Sequence, residues 1–144
     1  MDCELCELAS GDSSPAPIYR NDSLTVILVD DAAYPGFCRV IWNDHVREMS
    51  DLSASERQLL NEAVFQVEAA VRDVMRPLKM NVASLGNMVP HLHWHVIARF
   101  EDDAHFPAPV WAQAVRVTDE STLAARRALL PQLVETIRHR MEHA

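Results

Sequence analysis

The sequence predicts an α+β fold with an antiparallel sheet, and three observations carry that expectation. Two strand-sized apolar runs, residues 24–29 and 37–42, flank a turn and read as a hairpin. A second strand pair is expected over residues 79–85 and 89–100. Between the pairs lies a long stretch with helical apolar spacing, so one helix should cover one face of the sheet.

Taken in order, residues 1–17 hold Cys3 and Cys6, then a loop at Gly11-Asp12-Ser13-Ser14-Pro15, with Pro17 following. Leu24-Thr25-Val26-Ile27-Leu28-Val29 is rich in β-branched residues and reads as a buried strand. Asp30-Asp31 through Tyr34-Pro35-Gly36 is a turn, and Phe37-Cys38-Arg39-Val40-Ile41-Trp42 is the return strand. Ser53 and Glu56 have the spacing of a capping box. Leu60, Val64, Val67, Val71 and Val74 then form one apolar stripe of a helix that Pro77 terminates. The second hairpin is expected to turn tightly at Gly86-Asn87. Residues 101–118 read as an ordered irregular loop, with Pro107 and Pro109 ahead of Trp111. From Thr122 the pattern is helical again, and Pro131 predicts a kink or two short helices.

The 144 residues fit one domain spanning the chain. A hydrophobic share of 49% and a charged share of 24% exclude general disorder. With 13 basic and 21 acidic residues the formal charge is -8, which excludes a surface that tracks a nucleic-acid polymer. One small anionic ligand remains compatible, because a few local groups dominate its field. No apolar run reaches membrane-span length, so no membrane partner is expected. The opening Met1-Asp2-Cys3-Glu4 lacks the layout of a secretion signal, which places the chain in the cytoplasm. There, three cysteines are not a disulfide framework, and the C-x-x-C of Cys3 and Cys6 points to metal or redox chemistry. Cys38, on a strand, reads as a small buried hydrophobe.

The informative segment is Pro90-His91-Leu92-His93-Trp94-His95-Val96-Ile97-Ala98-Arg99. On a strand, alternation sends His91, His93 and His95 to one face and Leu92, Trp94 and Val96 to the other. Unpaired imidazoles are costly in a core, so three on one face indicate a site. Two chemistries fit: metal ligation, or a histidine nucleophile whose neighbours set its tautomer and contact the attacked anion.

His91-Leu92-His93-Trp94-His95-Val96-Ile97 resembles, in full, the motif of the histidine triad (HIT) family, His-φ-His-φ-His-φ-φ with φ apolar. Pro35-Gly36, Val40-Ile41 and His45 resemble the family's upstream strand, and Arg99 sits where many members have Pro-Arg. The resemblance covers residues 3–100. It is strongest to bacterial members described as diadenosine polyphosphate hydrolases, through Gly86-Asn87 and the segment from Phe106-Pro107 to Trp111. It implies a HIT-like antiparallel sheet with one long central helix, followed over residues 101–144 by a loop and a C-terminal helical segment. It further implies a homodimer that hydrolyses or transfers purine nucleotides at the α-phosphate. Dinucleoside polyphosphates such as diadenosine tetraphosphate, or nucleoside phosphoramidates, are the expected substrates.

By the same resemblance His93 is the nucleophile and forms a nucleotidyl-histidine, and His95 assists departure of the leaving group. His91 completes the triad. The backbone N–H groups of Met88 and Val89, with the Asn87 side chain, receive developing negative charge. Asp30 is expected on the ribose hydroxyls, with Asp31 competing and a solvated turn carboxylate as the plain reading of both. Ile18, Leu24 and Leu28 read as a purine slot or as core. Cys3, Cys6, His45 and His91 match the zinc ligands of some relatives, giving a closed structural site; no organic cofactor is implied. Phe37, Asn87 and Met88 depart from the family's usual residues, which bears on substrate preference and rate. Two other readings stand beside this one. A nucleotide-binding module would keep the triad without turnover. A metal-dependent hydrolase would recruit His105 to the triad, whereas His105, His139 and His143 otherwise read as exposed.

Overall fold

The computed structural model describes residues 3–11 and 16–144. Most of the expected loop at residues 11–15, and the acidic start at residues 1–2, lie outside those residues.

Five strands form one antiparallel sheet: β1 (Tyr19–Arg20), β2 (Leu24–Leu28), β3 (Cys38–Trp42), β4 (Lys79–Ala83) and β5 (His93–Arg99). Their spatial order is β1-β2-β3-β5-β4. The first hairpin pairs Leu24 with Trp42 and Leu28 with Cys38, as its two apolar runs require. β5 enters between β3 and β4, placing Arg39 opposite His95 and Ile41 opposite His93.

The long helix, α2 (Ala54–Met75), opens with the expected capping box. Ser53 donates its N–H to Glu56 Oε1 at 2.7 Å and accepts the Glu56 N–H at 3.2 Å. The predicted stripe of Leu60, Val64, Val67, Val71 and Val74 is buried. It packs on the sheet face that carries Val26, Val40, Trp42, Leu92 and Val96. The helix stops at Met75, Arg76 takes a left-handed conformation (φ 52°) as its cap, and Pro77 follows. Pro131 resolves into two helices rather than a kink: α3 (Glu120–Arg127), then α4 (Leu130–Glu142) with the proline in its first turn, where its missing N–H costs nothing. α4 completes the core through Leu133 and Ile137.

Two expectations are corrected, and one element is new. The new element is a short helix, α1 (Glu4–Ala9), which docks Leu5 and Ala9 on Ile27 and Ile41 of the opposite sheet face. Six residues are too few to show helical periodicity. The second hairpin does not turn tightly at Gly86-Asn87; residues 84–92 form an open connection between β4 and β5. Gly86 adopts φ 77° there, Pro90 lacks an N–H for the ladder, and the N–H of His91 turns back to the Val89 carbonyl at 2.8 Å. His91 consequently precedes the strand instead of belonging to it.

Residues 101–118 are irregular but tied down by one carboxylate. Asp103 is 1% exposed and accepts from Arg99 Nε (2.8 Å) and Nη2 (3.1 Å), from the N–H groups of Phe100, His105 and Phe106, and from the Tyr34 hydroxyl. Burial raises the Asp103 pKa, yet the guanidinium and three N–H donors outweigh it and hold the carboxyl far below the usual range.

Candidate active site and metal centre

Strand alternation gives β5 two chemistries. Val96 and Ala98 enter the core under α2, with Trp94 packed against it, while His93 and His95 face the other side. There they line a cavity of about 380 Å³ with Arg39, with Glu4 and Leu5 of α1, with residues 85–89, and with Trp111. Both rings are 6% exposed, and their centroids stand 4.8 Å apart at a steep angle.

One hydrogen bond sets the reactive atom. His93 Nδ1–H donates to the His91 carbonyl at 2.6 Å. A carbonyl only accepts, so Nδ1 carries the proton and Nε2 keeps its lone pair. Burial lowers the His93 pKa; the bond to the His91 carbonyl resists this, and the positive charge of Arg39 adds to it. His95 is pushed down to about 4, by burial first and then by the charges of His93 and Arg39. It is wedged between Phe37 and Trp111, with ring centroids 5.8 Å and 5.2 Å away. Its Nδ1 is buried and has no partner among the described residues. Two imidazoles held neutral by burial, with the lone pair of His93 fixed on Nε2, suit nucleophilic attack near neutrality.

At the rim, Asn87, Met88 and Val89 line the same cavity, and Met88 is 94% exposed. The backbone N–H groups of Met88 and Val89 have no acceptor among the described residues, so both are free to meet an anion.

Behind His93 four donors converge. Cys3, Cys6, His45 and His91 bring their ligand atoms within 4.8 Å of one another. His91 Nδ1 lies 3.5 Å from Cys3 Sγ, 3.4 Å from Cys6 Sγ and 3.2 Å from His45 Nδ1, and Cys6 Sγ lies 3.3 Å from His45 Nδ1. A tetrahedral zinc with bonds of about 2.0–2.3 Å sets its ligand atoms roughly 3.3–3.8 Å apart, so the cluster fits that ion. The tautomer fits as well. His91 Nε2–H donates to the Trp42 carbonyl at 2.6 Å, which leaves Nδ1 as the lone-pair atom facing the other donors. With four protein ligands the site is closed. A zinc ion here would be a structural tie joining α1, the segment after β3 and the start of β5, and would activate no water. His91 thus serves both centres, with its ring in the cluster and its carbonyl on His93.

The remaining predicted contacts fall elsewhere. Ile18, Leu28, Asp30 and Asp31 line a second cavity of about 500 Å³ with Leu8, Ile27 and residues of α3 and α4. The two cavities share no lining residue, and α1 borders both, through Leu5 on one side and Leu8 on the other. Leu24 is buried in the core. Asp31 caps its own turn, with Oδ1 accepting the Ala33 N–H at 3.0 Å, whereas Asp30 is exposed. His105 does not join the triad: its Nδ1 meets the Tyr34 hydroxyl at 2.6 Å. Sequence reasoning passed over Arg39, Trp111, Glu4, Leu5 and Leu85 as cavity residues. Arg39 carries a readable signal, being a charge inside an otherwise apolar strand at a position that alternation sends to the histidine face.

No curated protein matches the chain in sequence. Solved structures do. A histidine triad protein from Bradyrhizobium japonicum is 27% identical, with 87% of this chain and 89% of that one covered and a TM-score of 0.69. One from Marinobacter aquaeolei is 29% identical, covering 91% and 94%, with a TM-score of 0.67. A Zn-bound histidine triad family protein from Mycobacterium smegmatis, 22% identical over 94% and 97%, shares the fold with a TM-score of 0.60. The HIT domain matches residues 12–102. With well over half of its length inside that match, the chain belongs to the HIT domain family, a family of nucleotide-binding hydrolases and transferases.

Proposed function

We propose that the protein is a nucleotide hydrolase or transferase that attacks the α-phosphate of a purine nucleotide with His93. The hydrogen bond from His93 Nδ1–H to the His91 carbonyl is the observation that supports this most directly, because it leaves Nε2 as a nucleophile in the cavity. Nε2 bonds to the α-phosphorus, the bond from phosphorus to the leaving-group oxygen or nitrogen breaks, and its electron pair departs with that atom. Water then bonds to the same phosphorus, the P–N bond breaks, and the nucleoside monophosphate leaves with His93 restored. The free N–H groups of Met88 and Val89 and the Asn87 amide receive charge on the phosphoryl oxygens, while His95 contacts the departing group. Asp30, with Ile18 and Leu28, takes the nucleoside end of a ligand that spans the two cavities past α1. Diadenosine polyphosphates or nucleoside phosphoramidates are the substrate class.

The same proposal has the Cys3–Cys6–His45–His91 cluster hold structural zinc while the chemistry runs without metal. Reduced thiols at Cys3 and Cys6 favour a cytoplasmic setting. A homodimer belongs to this reading too, supported by Leu59 and Phe65, which α2 leaves 55% exposed.

Intact-protein mass spectrometry after a rapid acid-free quench tests the proposal. Wild type is mixed with diadenosine tetraphosphate or adenosine 5′-phosphoramidate, and AMP is quantified in the same samples. A transient adduct of AMP mass is expected, absent in His93→Ala. Neither adduct nor AMP with either substrate would favour a binding module. AMP release surviving in His93→Ala would mean that another group attacks.

A further inference from the structure

The cavity that holds His93 and His95 has one permanently cationic side chain among its described lining residues, Arg39. It stands opposite His95 in the β3–β5 register, on the histidine face of the central strand. Its placement is unusual for an arginine. The side chain is half-buried, its Nε is enclosed, and neither Nε nor the rest of the guanidinium has a hydrogen-bond partner among the described residues. The arginine ion pairs among the described residues use Arg99, Arg126 and Arg127 instead. Glu4 acts on Arg39 electrostatically without forming a hydrogen bond to it, and the Phe37 ring lies 5.9 Å from the guanidinium carbon. A half-buried guanidinium normally hydrogen-bonds a carboxylate, so one that Glu4 approaches without such a bond, and that opens on a cavity, is suited to an anion brought from outside.

We propose that Arg39 is a substrate-binding cation for the phosphates of the leaving group, and that it selects nucleoside polyphosphates over nucleotides with an uncharged leaving group. The inference rests on the assignment of His93 as the attacking residue. In-line attack puts the leaving group on the side of phosphorus away from Nε2, and Arg39, across the strands from His95, is the cation that the described cavity lining offers it. His95 is a poor proton donor at neutral pH, since burial and the adjacent charges hold it low. An amine leaving group needs a proton as its bond to phosphorus breaks. A polyphosphate does not: it departs as a weakly basic anion and needs positive charge, which a guanidinium supplies in bidentate form. Arginine also explains how a chain with a net charge of -8 accepts a polyanion.

The test compares kcat/KM for diadenosine tetraphosphate and adenosine 5′-phosphoramidate in wild type, Arg39→Met and Arg39→Lys. Methionine keeps the apolar stem, and melting temperatures identify any variant that fails to fold. In Arg39→Met the polyphosphate-to-phosphoramidate ratio is expected to fall about tenfold to a hundredfold, the worth of a hydrogen bond to a charged group, with partial recovery in Arg39→Lys. A ratio that stays within about threefold of wild type overturns the proposal. Failure of the underlying reading is seen separately, as AMP release that survives in His93→Ala or as absence of turnover and adduct in wild type. Binding then decides the role of Arg39. In a His93→Ala background, Arg39→Met should weaken diadenosine tetraphosphate by the same factor and AMP by much less. Equal effects on both ligands, or none, would refute it.

Discussion

Removing the metal should release α1 while the rest of the fold stays intact. The magnitude follows from the structure. α1 has six residues, and fixing their backbones costs about 6 kcal/mol even at the low end of roughly 1 kcal/mol each. An isolated helix of that length has no stability of its own to offset this. Docking returns the burial of Leu5, about 1.5–3 kcal/mol, and less than 1 kcal/mol for Ala9. The 2.7 Å bond from Arg20 Nε to the Ala9 carbonyl adds roughly 1 kcal/mol. The shortfall is about 2 kcal/mol, which leaves only a few per cent of α1 docked without zinc.

The core under α2 contains none of the four ligands and meets the cluster through the Trp42 carbonyl that accepts from His91, so it should hold without metal. Hydrogen exchange read by mass spectrometry, before and after dialysis against a strong chelator with zinc content measured in parallel, checks this. The peptide covering α1 should lose protection and peptides from α2 and β5 should keep theirs. If α1 keeps its protection once zinc is gone, the helix is held by packing and the tie argument is wrong. An AMP adduct that still forms on the zinc-free protein, at a lower rate because Glu4 and Leu5 have left the cavity wall, would separate structural zinc from a metal-dependent hydrolase.

Two further perturbations test the frame around the site. Asp103→Ala strands the 2%-exposed Arg99 and four other donors, so urea unfolding should show a loss of about 3–5 kcal/mol, and a loss below 1 kcal/mol would deny the carboxylate its role. Because the Asp103 pKa is depressed in the fold, its contribution is complete above the unfolded carboxyl value near pH 4 and declines as pH falls below it; Asp103→Ala should flatten that acid limb of wild-type stability. Burial pushes the Cys38 thiol up to about 12, so iodoacetamide at pH 8 should label Cys3 and Cys6 after chelation but spare Cys38 until the chain is unfolded.

What the sequence made legible is what repeats with a fixed period. The α2 stripe, the capping box, the hairpin of β2 and β3, and the two faces of β5 each follow from spacings of two, three or four residues, and each is present. Cys3, Cys6, His45 and His91 are far apart along the chain, and no periodicity joins them. They were readable as a set only through the resemblance to zinc-containing members of the histidine triad family. Trp111 and Leu5 had no such guide, whereas Arg39 was legible as a charge in an apolar strand on the histidine face. Trp111 and Leu5 reach the cavity because the 101–118 loop and α1 close over that face, and closure is a property of packing.

The nucleoside-end residues show where that limit bites. Ile18, Leu28 and Asp30 are near β2 in sequence and do gather in one cavity, yet α1 stands between them and His93. Strand position predicts which residues approach the same end of a sheet, but a six-residue helix held by four side chains decides whether two hollows are one site or two. Zinc would therefore act on substrate binding from outside the chemistry. By fixing α1 it sets the wall shared by both cavities, and a ligand that spans them must pass that wall or move it.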